Sequence, residues 1–205
     1  MENDLQQGLK AMQIEASGEQ QTLLLRFIDL LDKWNKAYNL TAIRNKRDML
    51  PLHILDSLSL LPYLSGAKRV LDIGSGAGLP GIPLAILQPD LQFVLLDSNG
   101  KKTRFIKQVI IELKLKNVSV VHDRIEKYLP VENFDCITTR AFATIAETVD
   151  MIEHFLQKEA RILFMKSNTT EEELAKINTD YSKDVITLNV PGIDAPRTLA
   201  VLQKQ

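Results

Sequence analysis

Hydrophobic patterning divides the chain near residue 66. Before that point, Leu23, Leu24, Phe27, Ile28, Leu31, Trp34 and Tyr38 recur at helical spacing and form one apolar stripe. Ser17-Gly18-Glu19-Gln20 supplies a capping box at its start, the serine oxygen meeting a backbone N–H near Gln20. A second amphipathic segment covers 49–61 and is stopped by Pro62 and Gly66. From residue 69 onward, short apolar runs alternate with helical patterns. Strands are predicted at 69–73, 93–96, 118–121, 134–138, 162–165, 185–190 and 199–202. Helices are predicted at 80–87, 101–115, 144–155 and 170–177, the last starting with a cap at Thr170. Such alternation implies an α/β chain with a mostly parallel seven-stranded sheet covered on both faces. Only 191–197 separates the last two strands, too little for a helical crossover, so the last strand should run antiparallel. Residues 1–205 are expected to form a single domain, with 1–66 as a helical extension packed on it.

Composition narrows the classes. The 205 residues are 45% hydrophobic and 25% charged, ordinary values for a globular protein in water. Cys136 alone permits no internal disulfide, and His53, His122 and His154 lie far apart, so no metal site is expected. The acidic, polar start Met1-Glu2-Asn3-Asp4 is unlike a signal peptide. No apolar run approaches the roughly 20 residues needed to cross a bilayer. The expectation is therefore a cytoplasmic location with no membrane partner, and a monomer by default. With a net charge of −1, any nucleic-acid contact must come from a local basic patch.

The candidate chemistry begins at 70–81, VLDIGSGAGLPG. Val70-Leu71-Asp72-Ile73 reads as a buried strand, and Gly74, Gly76 and Gly78 let the backbone turn sharply and approach a ligand. Asp97 ends the next strand on the same sheet edge, where its carboxylate can accept both hydroxyls of an adenosine ribose. Gly76-x-Gly78-x-x-Gly81 formally matches a dinucleotide fingerprint. That register starts two residues late, however, because the first glycine after the strand is Gly74. Pro80 and Pro83 also remove helix-start donors that a pyrophosphate would use. S-adenosylmethionine has no phosphate, so the loop favours it as cofactor over NAD or flavin. A nucleotide triphosphatase fails on spacing, since Gly100-Lys101 would need a glycine at Leu95 and Lys102 occupies the Ser/Thr position. His122-Asp123-Arg124-Ile125-Glu126 reads equally as an adenine-binding loop, with Ile125 or Leu79 as its apolar wall, or as a turn with a helix cap.

The residues just after the fourth strand bear on the acceptor. Thr138-Thr139-Arg140-Ala141 stands where many amino-group methyltransferases carry Asn/Asp-Pro-Pro-aromatic, which argues against exocyclic amines. Carbon-5 pyrimidine chemistry needs a cysteine nucleophile, and Cys136 sits in an apolar strand as a small core residue. A ring nitrogen, a ribose hydroxyl or a small molecule remain. Guanine N7 already presents its lone pair, so alignment matters more than a general base. Two basic clusters, Lys33, Lys36, Arg44, Lys46, Arg47 and Lys101, Lys102, Arg104, Lys107, read as solvated faces. Arg140, Lys166 and Arg197 lie beside strand ends on one sheet edge, where open α/β sheets bind ligands.

The strings KWNKAYNLT at 33–41 and HILDS at 53–57 are far more specific than the glycine loop. With Asp72–Gly81, Leu96-Asp97-Ser98, Lys101 and Lys102, Arg124 with Glu126, and Arg140-Ala141, the sequence resembles the bacterial small-subunit rRNA guanine-N7 methyltransferases, also called glucose-inhibited division protein B. The resemblance implies a Rossmann-like class I methyltransferase fold with S-adenosylmethionine as cofactor. It implies methylation of one guanine N7 in 16S rRNA near the decoding region, with that RNA or the small ribosomal subunit as partner. It assigns cofactor contacts to Gly74, Leu79, Ile125, Glu126 and Arg140, beside the loop's own Gly76, Gly78 and Asp97. Arg124, Arg140 and Arg197 would form a positive edge, with Arg140, Lys166 and Arg197 positioning substrate. The family usually has Lys-Gly after the fifth strand, and here Ser167 follows Lys166. Two other readings fit the fold: a small-molecule methyltransferase, and a cofactor- or RNA-binding module without catalysis.

Overall fold

The computed structural model describes residues 1–169 and 171–205. Helix α2 (Gly18–Tyr38) starts at the predicted capping box. Ser17 Oγ accepts from Gln20 N at 3.1 Å, and Gln20 Oε1 accepts from Ser17 N at 2.9 Å. Leu24, Phe27, Ile28 and Leu31 bury the predicted stripe. Its last member departs: Tyr38 is 42% exposed, with one ring face on Trp34, which itself packs against Phe105. An additional helix, α1 (Glu2–Ala11), precedes it and buries Leu5 and Leu9, one turn apart.

The segment predicted as one amphipathic helix over 49–61 is built differently. Wide π-type turns cover Leu50–Leu55 and run into the short α3 (Asp56–Leu58), and a 3₁₀ turn comes next at Leu61–Leu64. Such widened turns recur at functional sites. Here they carry His53 and Asp56, both buried, to the sheet edge.

The strands are β1 (Arg69–Ile73), β2 (Gln92–Asp97), β3 (Val118–His122), β4 (Cys136–Arg140), β5 (Arg161–Lys166), β6 (Tyr181–Thr187) and β7 (Thr198–Lys204). Among the described residues they form one sheet in the order β3-β2-β1-β4-β5-β7-β6. Only β7 runs antiparallel to its neighbours, β5 and β6. Alternating residues serve opposite faces: Phe93 and Leu95 join one apolar cluster, Val94 and Leu96 the other.

Two strand boundaries differ from the pattern. β4 starts two residues later than predicted and continues to Arg140, which pairs with Met165. β6 lies four residues earlier than predicted at its start. It is an edge strand held on one side only, so its solvent-facing Ser182 and Asp184 hide it from an apolar search. Leu188 and Val190, predicted as strand, instead fold into the core beyond its end.

Helices α4 (Gly81–Leu87), α5 (Gly100–Leu113), α6 (Ile145–Ile152) and α7 (Glu171–Ala175) complete the layers. The cap predicted at Thr170 lies outside the described residues. α5 ends at Lys114 in left-handed conformation, and α6 tightens into a 3₁₀ turn over Glu153–Phe155. α2 packs on α4 and α5, so the helical N-terminal part shares one apolar cluster with a sheet face. Among the described residues no helix is long and apolar enough to cross a membrane.

Candidate active site

Two cavities open at the carboxyl ends of the parallel strands, and they share Ala141 and Phe142. The smaller, about 380 Å³, is bordered by Gly74, Asp97, Lys102, Arg124, Ile125 and Glu126. Gly74, Gly76 and Gly78 all take left-handed backbone angles, φ 64°, 58° and 80°, which side-chain-bearing residues rarely adopt. The resulting loop is pinned by Asp97: its Oδ2 accepts from Gly76 N and its Oδ1 from Asn99 N, each at 2.8 Å. Each carboxylate oxygen keeps a further lone pair for a ligand hydroxyl.

The loop amides decide against a dinucleotide. Gly76 N is committed to Asp97, Gly78 N and Leu79 N to Ser75 O, and Gly81 N to Asp72 Oδ2. A pyrophosphate would need those donors free. Asp72 itself is fully buried, and burial pushes its carboxyl up to about 7 against the opposing pull of the Gly81 N–H and the Ser75 and Thr138 hydroxyls. Gly78 packs on Ile82, and Leu79 is 4% exposed within the apolar core, so the side of the loop they occupy is away from the cavity lining.

The larger cavity, about 660 Å³, lies between the helical N-terminal part and the ends of β4 and β5. Asp56 is its organising group. Oδ2 accepts from Arg140 Nη1 at 3.0 Å and Oδ1 from Arg197 Nε at 3.2 Å, with the aspartate side chain only 4% exposed. Arg140 Nη1 also donates to Leu52 O at 3.0 Å. A buried carboxylate between two guanidiniums fixes both and leaves the wall with a net positive charge.

His53 sits behind this wall. Its Nε2 lies 2.9 Å from Thr41 Oγ1 and its Nδ1 2.9 Å from Leu52 O. A proton on Nδ1 serves the Leu52 carbonyl and leaves Nε2 to accept from the Thr41 hydroxyl; Arg140 Nη2, itself a donor 3.4 Å from the same Nδ1, makes no hydrogen bond to it in that tautomer. Burial, then the Arg140 charge, lower its pKa to about 4, so the ring is neutral at physiological pH.

Lys166 borders the same cavity, its Nζ 2.5 Å from Glu173 Oε1. Ser167, where the resembled family usually has glycine, does not take a left-handed angle, so the turn tolerates its side chain. Arg140, Lys166 and Arg197 therefore come together, as the sheet-edge argument predicts. Arg124 does not join them; it borders the smaller cavity. Arg140 in turn borders only the larger one, one residue before the shared loop. Cys136 is buried in β4, where burial pushes its thiol up to about 12, chemistry unlike an activated nucleophile.

Asp56, His53 and Phe142 are the residues that sequence reasoning gave no role. Asp56 carried a usable signal: a carboxylate flanked by Ile54, Leu55 and Leu58 is costly to bury unless cations or hydrogen-bond donors meet it.

A reversed β7 in an otherwise parallel sheet, a left-handed glycine loop after β1 and a carboxylate ending β2 define a class I methyltransferase. Solved structures agree on the fold. A putative O-methyltransferase from Klebsiella pneumoniae superposes with a TM-score of 0.61 at 15% identity, covering 96% of this chain and 94% of that one. The N-methyltransferase NodS from Bradyrhizobium japonicum, in complex with S-adenosyl-L-homocysteine, gives 0.56 at 16% identity over 92% and 99%. The chain belongs to the rRNA small subunit methyltransferase G family, whose model matches residues 20–200. It is 48% identical to the ribosomal RNA small subunit methyltransferase G of Chromobacterium violaceum over 96% of this chain and 94% of that protein. The same-named protein of Idiomarina loihiensis is 45% identical over the full length of both.

Proposed function

We propose that this chain transfers the methyl group of S-adenosylmethionine to N7 of a guanine in the RNA of the small ribosomal subunit. One observation carries the reading: a cavity lined by the Asp97 carboxylate meets a second cavity with a cationic wall at the single loop Ala141–Phe142. When bound, the cofactor supplies a methyl group on a positively charged sulfur. Asp97 would take the ribose hydroxyls, Ile125 and Glu126 would border the adenine, and Gly74, with the Phe142 ring over the place of its missing Cβ, would border the methionine end. Gly76, Gly78 and Leu79 act through the loop backbone that they shape.

Arg140, Arg197 and Lys166 hold the acceptor RNA in line rather than moving protons. The neutral His53 has both ring nitrogens engaged and offers no free base. N7 asks for none, since its lone pair attacks directly. The wall charge fits a polyanion better than a neutral small molecule.

Of the two basic clusters, the one on α5 is the better RNA face. Lys36 and Lys46 are paired to Asp32 and Asp29 at 2.8 and 2.5 Å, and Arg44 is bonded to Asn39 and Asn35. Among the described residues, Lys101, Arg104 and Lys107 have no carboxylate partner, are exposed, and succeed one another at i, i+3 and i+6 on the helix whose Lys102 borders the smaller cavity, whereas only Lys33 and Arg47 of the other cluster lack both a carboxylate and an amide partner. In this reading the chain is one cytoplasmic methyltransferase domain, with residues 1–66 as its helical extension, and it acts as a monomer.

The test is transfer of labelled methyl to small ribosomal subunits and to their naked RNA, both from a strain deleted for this chain. Label mapping to a guanine N7 is the expected result. Failure with every RNA form, alongside normal cofactor binding, would overturn the RNA reading and favour a small-molecule acceptor.

A further inference from the structure

Phe142 stands out as a large apolar side chain left 40% exposed at the mouth where both cavities meet. Its ring lies directly over Gly74; a Cβ built at Gly74 would come within 2.6 Å of Phe142 Cδ2. The loop that carries it is fixed at both ends. On one side Arg140 is tied to Asp56 and Leu52 O. On the other, Thr144 caps α6 through a reciprocal box with Glu147, at 3.2 Å and 3.0 Å. Between them Ala141 takes a left-handed angle, φ 52°, an uncommon conformation for a residue with a side chain. That angle turns the chain so that Phe142 borders both cavities rather than one.

We infer that the Phe142 ring is the platform on which the acceptor guanine stacks, facing the cofactor end of the site. The inference rests on the proposed guanine-N7 reading and adds a residue to it. An exposed aromatic face beside a cationic wall is the usual arrangement for holding an unpaired base, because every base offers a π-face and the phosphates find the cations. The chemistry gives the ring a second task. The N7 lone pair forms the new bond to carbon as the carbon–sulfur pair returns to sulfur, so no proton leaves and the positive charge moves from sulfonium to the guanine ring. Arg140 and Arg197 oppose a cation there. The buried Asp56 carboxylate offsets them, and the negative face of the phenyl ring is attracted to the charge as it develops.

Replacing Phe142 with Ala, Leu, Tyr and Trp tests this on the full chain. Two readouts are needed: methyl transfer to small ribosomal subunits from the deletion strain, and calorimetric affinity for S-adenosylhomocysteine. We expect Phe142→Ala and Phe142→Leu to lose about 10- to 100-fold in kcat/KM for the subunit, the range of one lost base stack. Their affinity for S-adenosylhomocysteine should stay within about threefold of the parent, and Phe142→Tyr and Phe142→Trp should keep most activity. Leu performing as well as Phe would reduce the ring to an apolar filler and overturn the inference. So would a parallel loss of S-adenosylhomocysteine affinity, which would make Phe142 part of the cofactor clamp. If the parent chain itself methylates no ribosomal RNA, the broader reading fails instead, and the two failures are separate results.

Discussion

The two cavities are assembled from different stretches of chain. Apart from the shared loop, the smaller one draws on Gly74, residues 96–99, Lys102 and residues 123–126, which lie at or after the ends of the three consecutive strands β1, β2 and β3. The larger one gathers residues 41–56 from the helical N-terminal part, 139–144 and 164–168 from two strand ends, and Arg197 from the approach to β7. Its central ion pairs join Asp56 to residues 84 and 141 positions away. In the proposed reading the local cavity takes the invariant partner of the reaction, the cofactor. The composite one can change its acceptor by altering loops and extension without disturbing the sheet.

If the two are separate devices, substitutions should divide their functions. The largest effect is expected from Asp97→Ala, which removes the carboxylate proposed to take the ribose and unpins Gly76 and Asn99 together. S-adenosylmethionine affinity should fall about 100-fold by calorimetry, while RNA retention on filters barely changes. An equal loss of both would merge the cavities into one unit.

Asp56→Asn is the mirror experiment. It leaves two guanidiniums without their shared carboxylate and should cut kcat/KM for the ribosomal subunit by about 30-fold. Cofactor affinity should hold. A variant with normal turnover would show that Arg140 and Arg197 need no anchor.

Two buried groups titrate with opposite signs, Asp72 in β1 under the glycine loop and His53 beside the larger cavity. Asp72, raised from 3.8 to about 7, stabilises the fold most below pH 4 and loses that contribution as pH rises through 7. His53, lowered from 6.5 to about 4, contributes fully above pH 6.5 and loses its share as pH falls through 4. Between those limits the two slopes offset each other in the parent chain. Urea unfolding of Asp72→Asn should therefore show stability rising with pH by about 2 kcal/mol across the window, and His53→Gln should show it falling by a similar amount. Identical pH profiles in both variants would disprove the assignment.

The smallest effect separates the basic faces. Replacing Lys101, Arg104 and Lys107 with Ala should raise KM for the subunit about 10-fold and flatten its salt dependence, whereas Lys36→Ala with Lys46→Ala should change little. The reverse order would move the RNA face to the N-terminal cluster.

Legibility in the sequence divides along the same line. The capping box at Ser17, the glycine register from Gly74 and the position of Asp97 were readable because each depends on neighbours within one turn or one strand. Strand β6 was misplaced because an edge strand buries little and so loses the apolar signature. The Asp56 clamp was invisible as a clamp, although HILDS marked its position, because both partners arrive from remote strands. Arg124 and Arg140 were grouped by charge, and the sheet order places them at different cavities.

By itself the sequence determined most of the elements, their order, and the glycine turn after β1 with Asp97 beside it, because helical and strand periods and turn chemistry are set by local backbone geometry. Tertiary structure alone decided that β7 enters between β5 and β6, that Asp56 gathers Arg140 and Arg197, and that Phe142 stands where the two cavities meet. Those outcomes depend on which distant segments the closed core brings within a few ångströms, where burying a charge forces a partner upon it and a missing Cβ at Gly74 admits an aromatic ring.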